Sequence, residues 1–163
     1  TYPEMTSTWE ILGTRESSHL GLFFQILDRF SQVFNPASRD VKPLSFHQVK
    51  TGADVDLALR TAGGRPVMLD FYADWCVSCK QMERETFADP KVRAALAGIV
   101  TLRADVTAND EADQALLKRF GIVGPPALLF FGPDGQERRE HRIVGFLDAE
   151  RFDAQLRSFQ RQL

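Results

Sequence analysis

The stretch Val67-Met68-Leu69-Asp70-Phe71-Tyr72-Ala73-Asp74-Trp75-Cys76-Val77-Ser78-Cys79-Lys80 decides the fold. Its first half, Val67–Tyr72, is short, apolar and set off by Pro66, which predicts a buried strand. Its second half carries a C-x-x-C and predicts a helix from about Cys76 to Glu85. Two thiols at a helix start meet the needs of disulfide exchange, which are a second sulfur within reach and a partly ionised first one. The first turn keeps the sulfurs close, and the free N–H groups and dipole of the helix end favour a negative Cys76. Cys76 therefore reads as the attacking thiol. Cys79, one turn further in, reads as the shielded, resolving one. The chain has two cysteines in all, whereas a disulfide-braced secreted domain would spread several along its length. The competing reading is half of a zinc site. Zinc usually takes four ligands, and His19, His47 and His141 are scattered. No metal and no cofactor is expected beyond the Cys76–Cys79 disulfide itself.

Outward from this stretch the punctuation alternates strands and helices. Phe46–Val49 is a short edge strand, and Ala53–Ala62 a helix ended by Gly63-Gly64. After the C-x-x-C helix, Asp89 caps a second helical piece, Pro90–Ala97, with proline at the first helical position. Ile99–Val106 is the next strand and Asp110–Phe120 the next helix, ended by Gly121. Ala127–Phe131 is a strand, Pro133-Asp134-Gly135 a hairpin turn, and Arg139–Val144 the returning strand. Asp148 caps a last helix, Ala149–Phe159. Parallel strands followed by an antiparallel hairpin predict an α/β fold with a mixed central sheet flanked by helices.

The bulk numbers narrow the function classes. Lys and Arg number 20 against 22 Asp and Glu, a net charge of -2, which offers no basic stripe for nucleic acid. No run of 18 apolar residues spans a membrane. The chain starts at Thr1 with neither an initiator Met nor a signal sequence, and reads as a piece of a longer precursor. Residues 1–44 read as an N-terminal extension and 45–163 as the main domain. In the extension, Leu20, Phe23, Phe24, Leu27, Phe30 and Phe34 share one helical face until Asn35-Pro36 stops it. Three readings stay open for residues 20–34: contact with a membrane surface, packing on the domain or a neighbouring copy, or a weakly helical linker.

The residues Asp70–Lys80 resemble the active-site segment of the thioredoxin superfamily, and Gly124-Pro125-Pro126 before the strand Ala127–Phe131 resembles its cis-proline loop. The resemblance implies a thioredoxin fold, a cis bond at Pro126 preceded by Pro125, and backbone there that pairs with a substrate chain. A closer likeness joins Val67–Glu83, Thr86-Phe87-Ala88-Asp89-Pro90, Asp105-Val106-Thr107-Ala108-Asn109-Asp110 and Leu129-Phe130-Phe131. Together these resemble the C-terminal domains of the thiol:disulfide interchange family DsbD, over most of residues 44–160. That likeness implies a protein-disulfide reductase domain on the periplasmic side of the bacterial inner membrane. Electrons would come from a transmembrane domain of the same protein. They would pass to its N-terminal periplasmic domain, in support of disulfide isomerisation and cytochrome c maturation.

Two carboxylates lie close in sequence to the sulfurs. Asp70 sits inside the apolar strand, six residues before Cys76, and Glu83 sits one helical turn after Cys79. A buried acid beside a thiol can take its proton, and by like-charge repulsion it raises the thiol's pKa. The resemblance assigns the same modulating role to both residues, and an ordinary solvated helix position is the competing reading for Glu83. Trp75 and Tyr72 flank the motif as candidate docking aromatics, with a core position equally open for Tyr72. Lys80 reads either as a cation that softens the acidic surroundings or as a solvated lysine. Against the reductase relay stand two alternatives, a stand-alone periplasmic thioredoxin-like reductant and a non-catalytic chaperone or binding module of the same fold.

Overall fold

The computed structural model describes residues 44–163. The helix expected over residues 20–34, with its membrane-surface, packing and linker readings, lies outside them, as does nearly all of the extension to which it belongs. The described elements are, in chain order, β1 (His47–Val49), α1 (Gly52–Thr61), β2 (Val67–Tyr72), α2 (Val77–Gln81), a π-helical turn (Met82–Thr86), α3 (Pro90–Leu96), β3 (Val100–Asp105), α4 (Glu111–Phe120), β4 (Ala127–Phe131), a 3-10 turn (Arg139–His141), β5 (Ile143–Val144) and α5 (Ala149–Gln160).

The strands form one sheet in the order β1-β3-β2-β4-β5. β1 and β2 run parallel to β3, while β4 is antiparallel to both β2 and β5. β2 lies at the centre and is buried along its whole length, apolar except for Asp70 and the Tyr72 hydroxyl. Its residues Val67, Leu69 and Phe71 pack with Val55 of α1 and Leu116 and Phe120 of α4. Met68 points the other way and joins Met82, Val92, Leu96, Phe152, Leu156 and Phe159 from the helices of the opposite layer. The mixed sheet flanked by helices is the architecture expected from the sequence.

The helix starts are sealed locally. Thr51 and Asp54 form a reciprocal capping box at α1, and Asp110 and Asp113 form another at α4. The Asp89 carboxylate accepts from the N–H groups of Lys91 and Val92, with Pro90 at the first position. Gly121 closes α4 in the left-handed region at φ 65°, where a side chain would be strained.

Two expectations change. The helix expected from Cys76 to Glu85 is α-helical only to Gln81 and then widens, the Phe87 N–H reaching back to the Met82 carbonyl at 2.8 Å. The wide turn coincides with two long-range ties: the Thr86 hydroxyl donates to the Leu147 carbonyl at 2.5 Å, and Glu83 reaches across to β3. The returning strand expected over Arg139–Val144 shrinks to Ile143–Val144. The chain first bridges Glu137 to Phe131, then makes the 3-10 turn. In that turn His141 is buried against the Phe159 ring, with Nε2 2.8 Å from the Gln162 side-chain oxygen.

Candidate active site

β2 ends at Tyr72, and the chain turns through Ala73, Asp74 and Trp75 into α2. The turn is tied at both ends. The Cys76 N–H donates to the Ala73 carbonyl at 3.0 Å. The Asp74 N–H donates to the Thr107 hydroxyl at 2.8 Å, and the Trp75 indole N–H to the Thr107 carbonyl at 3.1 Å. Thr107 is itself held, its N–H on the Asp105 carboxylate at 2.9 Å. The run Asp105–Asp110 thus clamps the loop that presents the cysteines.

Cys76 is the N-cap of α2, with extended backbone at φ -83° and ψ 102°, and its sulfur accepts the Cys79 N–H at 3.1 Å. Cys76 and Cys79 are joined in a disulfide whose Cα atoms are 5.3 Å apart. In this oxidised form the two residues are almost equally buried, 6% and 3% exposed. The expected contrast between an open Cys76 and a shielded Cys79 is therefore small while the sulfurs are bonded. Around them Trp75 is 59% exposed and Val77 is open as well, so Trp75 stands on the surface, where a docking residue belongs.

The Gly124-Pro125-Pro126 loop is brought to the same end of the sheet. Phe71 pairs with Ala127, which sets Pro126 beside the last residue of β2. The Pro125–Pro126 bond is cis, as expected. Neither proline has an N–H to offer, and the Pro126 carbonyl accepts the Gly145 N–H at 2.9 Å.

Asp70 is 3% exposed. The sequence reading left it without a partner, and the structure corrects this. Arg103 of β3 lies directly across from Asp70 in the parallel register. Its Nε donates to Asp70 Oδ2 at 2.9 Å, and its Nη2 lies 2.8 Å from the same oxygen. Its Nη1 donates to Glu83 Oε1 at 2.6 Å. The guanidinium also lies over the rings of Phe46 and Tyr72, 4.0 Å and 4.4 Å from their centroids. Glu83 is thus engaged, not an ordinary solvated helix residue. Burial pushes the Asp70 carboxyl up to about 6, against the pull of Arg103, and the neighbouring Glu83 adds to the rise. A carboxyl titrating there can both take and return a proton near neutral pH.

Tyr72 is buried, in line with the core position that the sequence left equally open to it. Its hydroxyl donates to the Asp74 carboxylate at 2.9 Å, and burial holds the phenol above its usual range. Lys80 donates to the Tyr72 hydroxyl and, at 2.9 Å, to Asp74. Both bonds, the one to Tyr72 first, favour its charged form. Lys80 is therefore engaged with Tyr72 and Asp74.

Sequence reasoning missed Arg103. A lone basic residue inside the apolar run Ile99–Val106 was the signal that could have found it, since such a charge needs a buried partner. Among the described residues no group of three or more His, Cys, Asp and Glu side chains is placed to hold a metal ion.

Residues 53–160 match the family model of a thioredoxin-like domain. The chain is 58% identical over 123 residues to the thiol:disulfide interchange protein DsbD of Ralstonia nicotianae, covering 74% of this chain and 20% of that protein. It is 54% identical over 117 residues to DsbD of Escherichia coli K12, covering 72% of this chain and 21% of that one. It thus spans about a fifth of the length of the curated relatives it matches. Among solved structures, the reduced C-terminal domain of Neisseria meningitidis DsbD superposes with a TM-score of 0.55 at 39% identity, covering 65% of this chain and 90% of that one. A thioredoxin from Thermus thermophilus gives the same TM-score at 28% identity, covering 71% and 88%.

Proposed function

The chain belongs to the thioredoxin-like domain family and, within it, to the C-terminal domains of DsbD, and on that premise we propose that it passes electron pairs between partner proteins through Cys76 and Cys79. The observation that carries this reading is the disulfide at the capped start of α2, where two sulfurs can be opened and reclosed with little movement of the backbone.

The exchange balances as follows. A donor's thiolate attacks the Cys76–Cys79 disulfide, and its second thiol releases the mixed disulfide. The donor leaves oxidised, and this domain holds two thiols, two electrons and two protons richer. The Cys76 thiolate then attacks an acceptor's disulfide. Cys79 gives its proton to a nearby base, for which Asp70 is suited, and attacks Cys76 to restore the disulfide and release the acceptor as a dithiol. Asp70 and Glu83 raise the thiol pKa by repulsion. Trp75, with the Pro125–Pro126 loop, forms the docking rim.

In the relay implied by the family, this domain stands on the periplasmic side of the inner membrane. The donor is a membrane-embedded domain of the same protein and the acceptor its N-terminal periplasmic domain, the route serving disulfide isomerisation and cytochrome c maturation. The test is the equilibrium reduction potential of the Cys76–Cys79 pair by redox-buffer titration, with Cys76→Ser as control. A value near or below about -270 mV, that of thioredoxin, supports an electron donor. A value near about -120 mV, that of a strong oxidant, reverses the direction. Cystine reduction that persists unchanged in Cys76→Ser overturns the redox reading and leaves a binding module.

A further inference from the structure

Asp70 and Glu83 are both carboxylic acids but differ in setting: Asp70 is sealed in the central strand, while the Glu83 side chain is 36% exposed on the π-helical turn. They meet on one guanidinium. Arg103 donates from Nε to Asp70 and from Nη1 to Glu83, while Nη2, 2.8 Å from the same Asp70 oxygen, makes no hydrogen bond. Such a planar fork engages two acids at fixed angles, which a lysine's single ammonium cannot reproduce. The fork is itself set in place. It lies over the Phe46 and Tyr72 rings, and its strand position is locked by the Asp70–Arg103 register. On the outer side, a cavity of about 220 Å³ lined by Leu44, Phe46, Phe87, Arg93, Glu83 and Arg103 opens beside the cluster.

We propose that Arg103 is a positioning residue for the thiol chemistry, holding Asp70 and Glu83 as one carboxylate pair and keeping Asp70 ionised at neutral pH. This rests on the redox reading given above. Without the guanidinium, a carboxyl as buried as Asp70 would keep its proton to higher pH and could no longer accept one from Cys79. Among the described residues the charged and titratable groups around it are few. Glu83 opposes ionisation of Asp70, and Arg103 favours it. From the other elements, Arg93 of α3 lines the cavity, and the hydroxyl of Tyr72, whose ring lies against the guanidinium, is hydrogen-bonded to Lys80 and Asp74. Leu128, opposite Asp70 on β4, is apolar.

The experiment titrates the side-chain carboxyl carbon of Asp70 by NMR in the oxidised protein, and the pH dependence of Cys76 alkylation by iodoacetamide in the reduced protein. It compares the wild type with Arg103→Gln, Arg103→Lys, Asp70→Asn and the double variant Arg103→Gln/Asp70→Asn. Arg103→Gln should move the Asp70 inflection upward by about one pH unit or more, with Arg103→Lys intermediate. The alkylation profile should move with it, and Asp70→Asn should remove the effect of Arg103→Gln on that profile. An Arg103→Gln protein that is less stable yet keeps the wild-type inflection makes Arg103 a structural residue and overturns the proposal. Should Arg103→Gln not fold, an Arg103→Lys inflection equal to that of the wild type overturns it equally. The carboxyl titration needs no turnover, so failure of the redox reading shows separately, as cystine reduction that persists in Cys76→Ser.

Discussion

The two faces of β2 are built for different ends from the same exclusion of water. On one face Val67, Leu69 and Phe71 pack with apolar residues of α1 and α4, in a cluster that also takes in Cys76 and Cys79. On the other, Met68 is apolar, but two residues further along Asp70 carries a carboxylate that meets Arg103 and, through it, Glu83. On the first face burial packs apolar side chains and shifts no ionisable group of β2. On the second it changes chemistry, lifting a carboxyl to a pKa of about 6. A strand that is uniformly buried is therefore not uniform in what burial does.

The largest expected effect breaks the first face. Leu69→Ala, at a position with no exposure, should cost about 2–5 kcal/mol in denaturant unfolding and leave the disulfide's reduction potential unchanged. A shifted potential would mean that the two faces are not separable. Next comes the second face. The folded-state pKa of Asp70 lies above its ordinary value of 3.8, so between about pH 4 and 6 the folded protein holds a proton that the unfolded chain has released. Its contribution to stability is full below about pH 4 and is lost as pH rises through 6. The span is at most about 3 kcal/mol, and Asp70→Asn should flatten that slope in unfolding measured across pH.

Smaller effects sharpen the contrast. In the reduced protein Asp70→Asn and Glu83→Gln should each lower the Cys76 thiol pKa, read from alkylation rates against pH. Asp70 should act more strongly, because water screens the partly exposed Glu83. Equal shifts would place both carboxylates in the same dielectric setting. The smallest change lies at a helix start away from the sulfurs. Asp110→Ala removes a cap and should cost about 1 kcal/mol with no change in thiol titration, measured by thermal unfolding and the same alkylation assay.

Much of this was legible in the residues. β2 and β4 run over the residues expected, and α1, α3, α4 and α5 lie within a residue or so of their expected limits, since each is bounded by a cap, a glycine or a proline acting on its neighbours. The cysteines at a helix start, the cis bond at Pro126 and an exposed Trp75 were also expected. What the sequence hid was the wide turn after Gln81, the 3-10 turn in place of most of the last strand, and the partner of Asp70. Each of these depends on residues remote in the chain: Thr86 on Leu147, His141 on Gln162, Asp70 on Arg103.

By itself the sequence determined where the sulfurs sit and what presents them, because a strand that ends, a turn and a capped helix are governed by interactions within a few residues. It also placed two acids within a few residues of those sulfurs along the chain. Only the tertiary structure decided how those acids behave. Joining them needs β2 and β3 paired in parallel at the Asp70–Arg103 register, across thirty-three positions of sequence, and Glu83 turned inward by the widened helix. The cation that joins the two acids is remote from the motif in sequence, and chain folding alone brings it there.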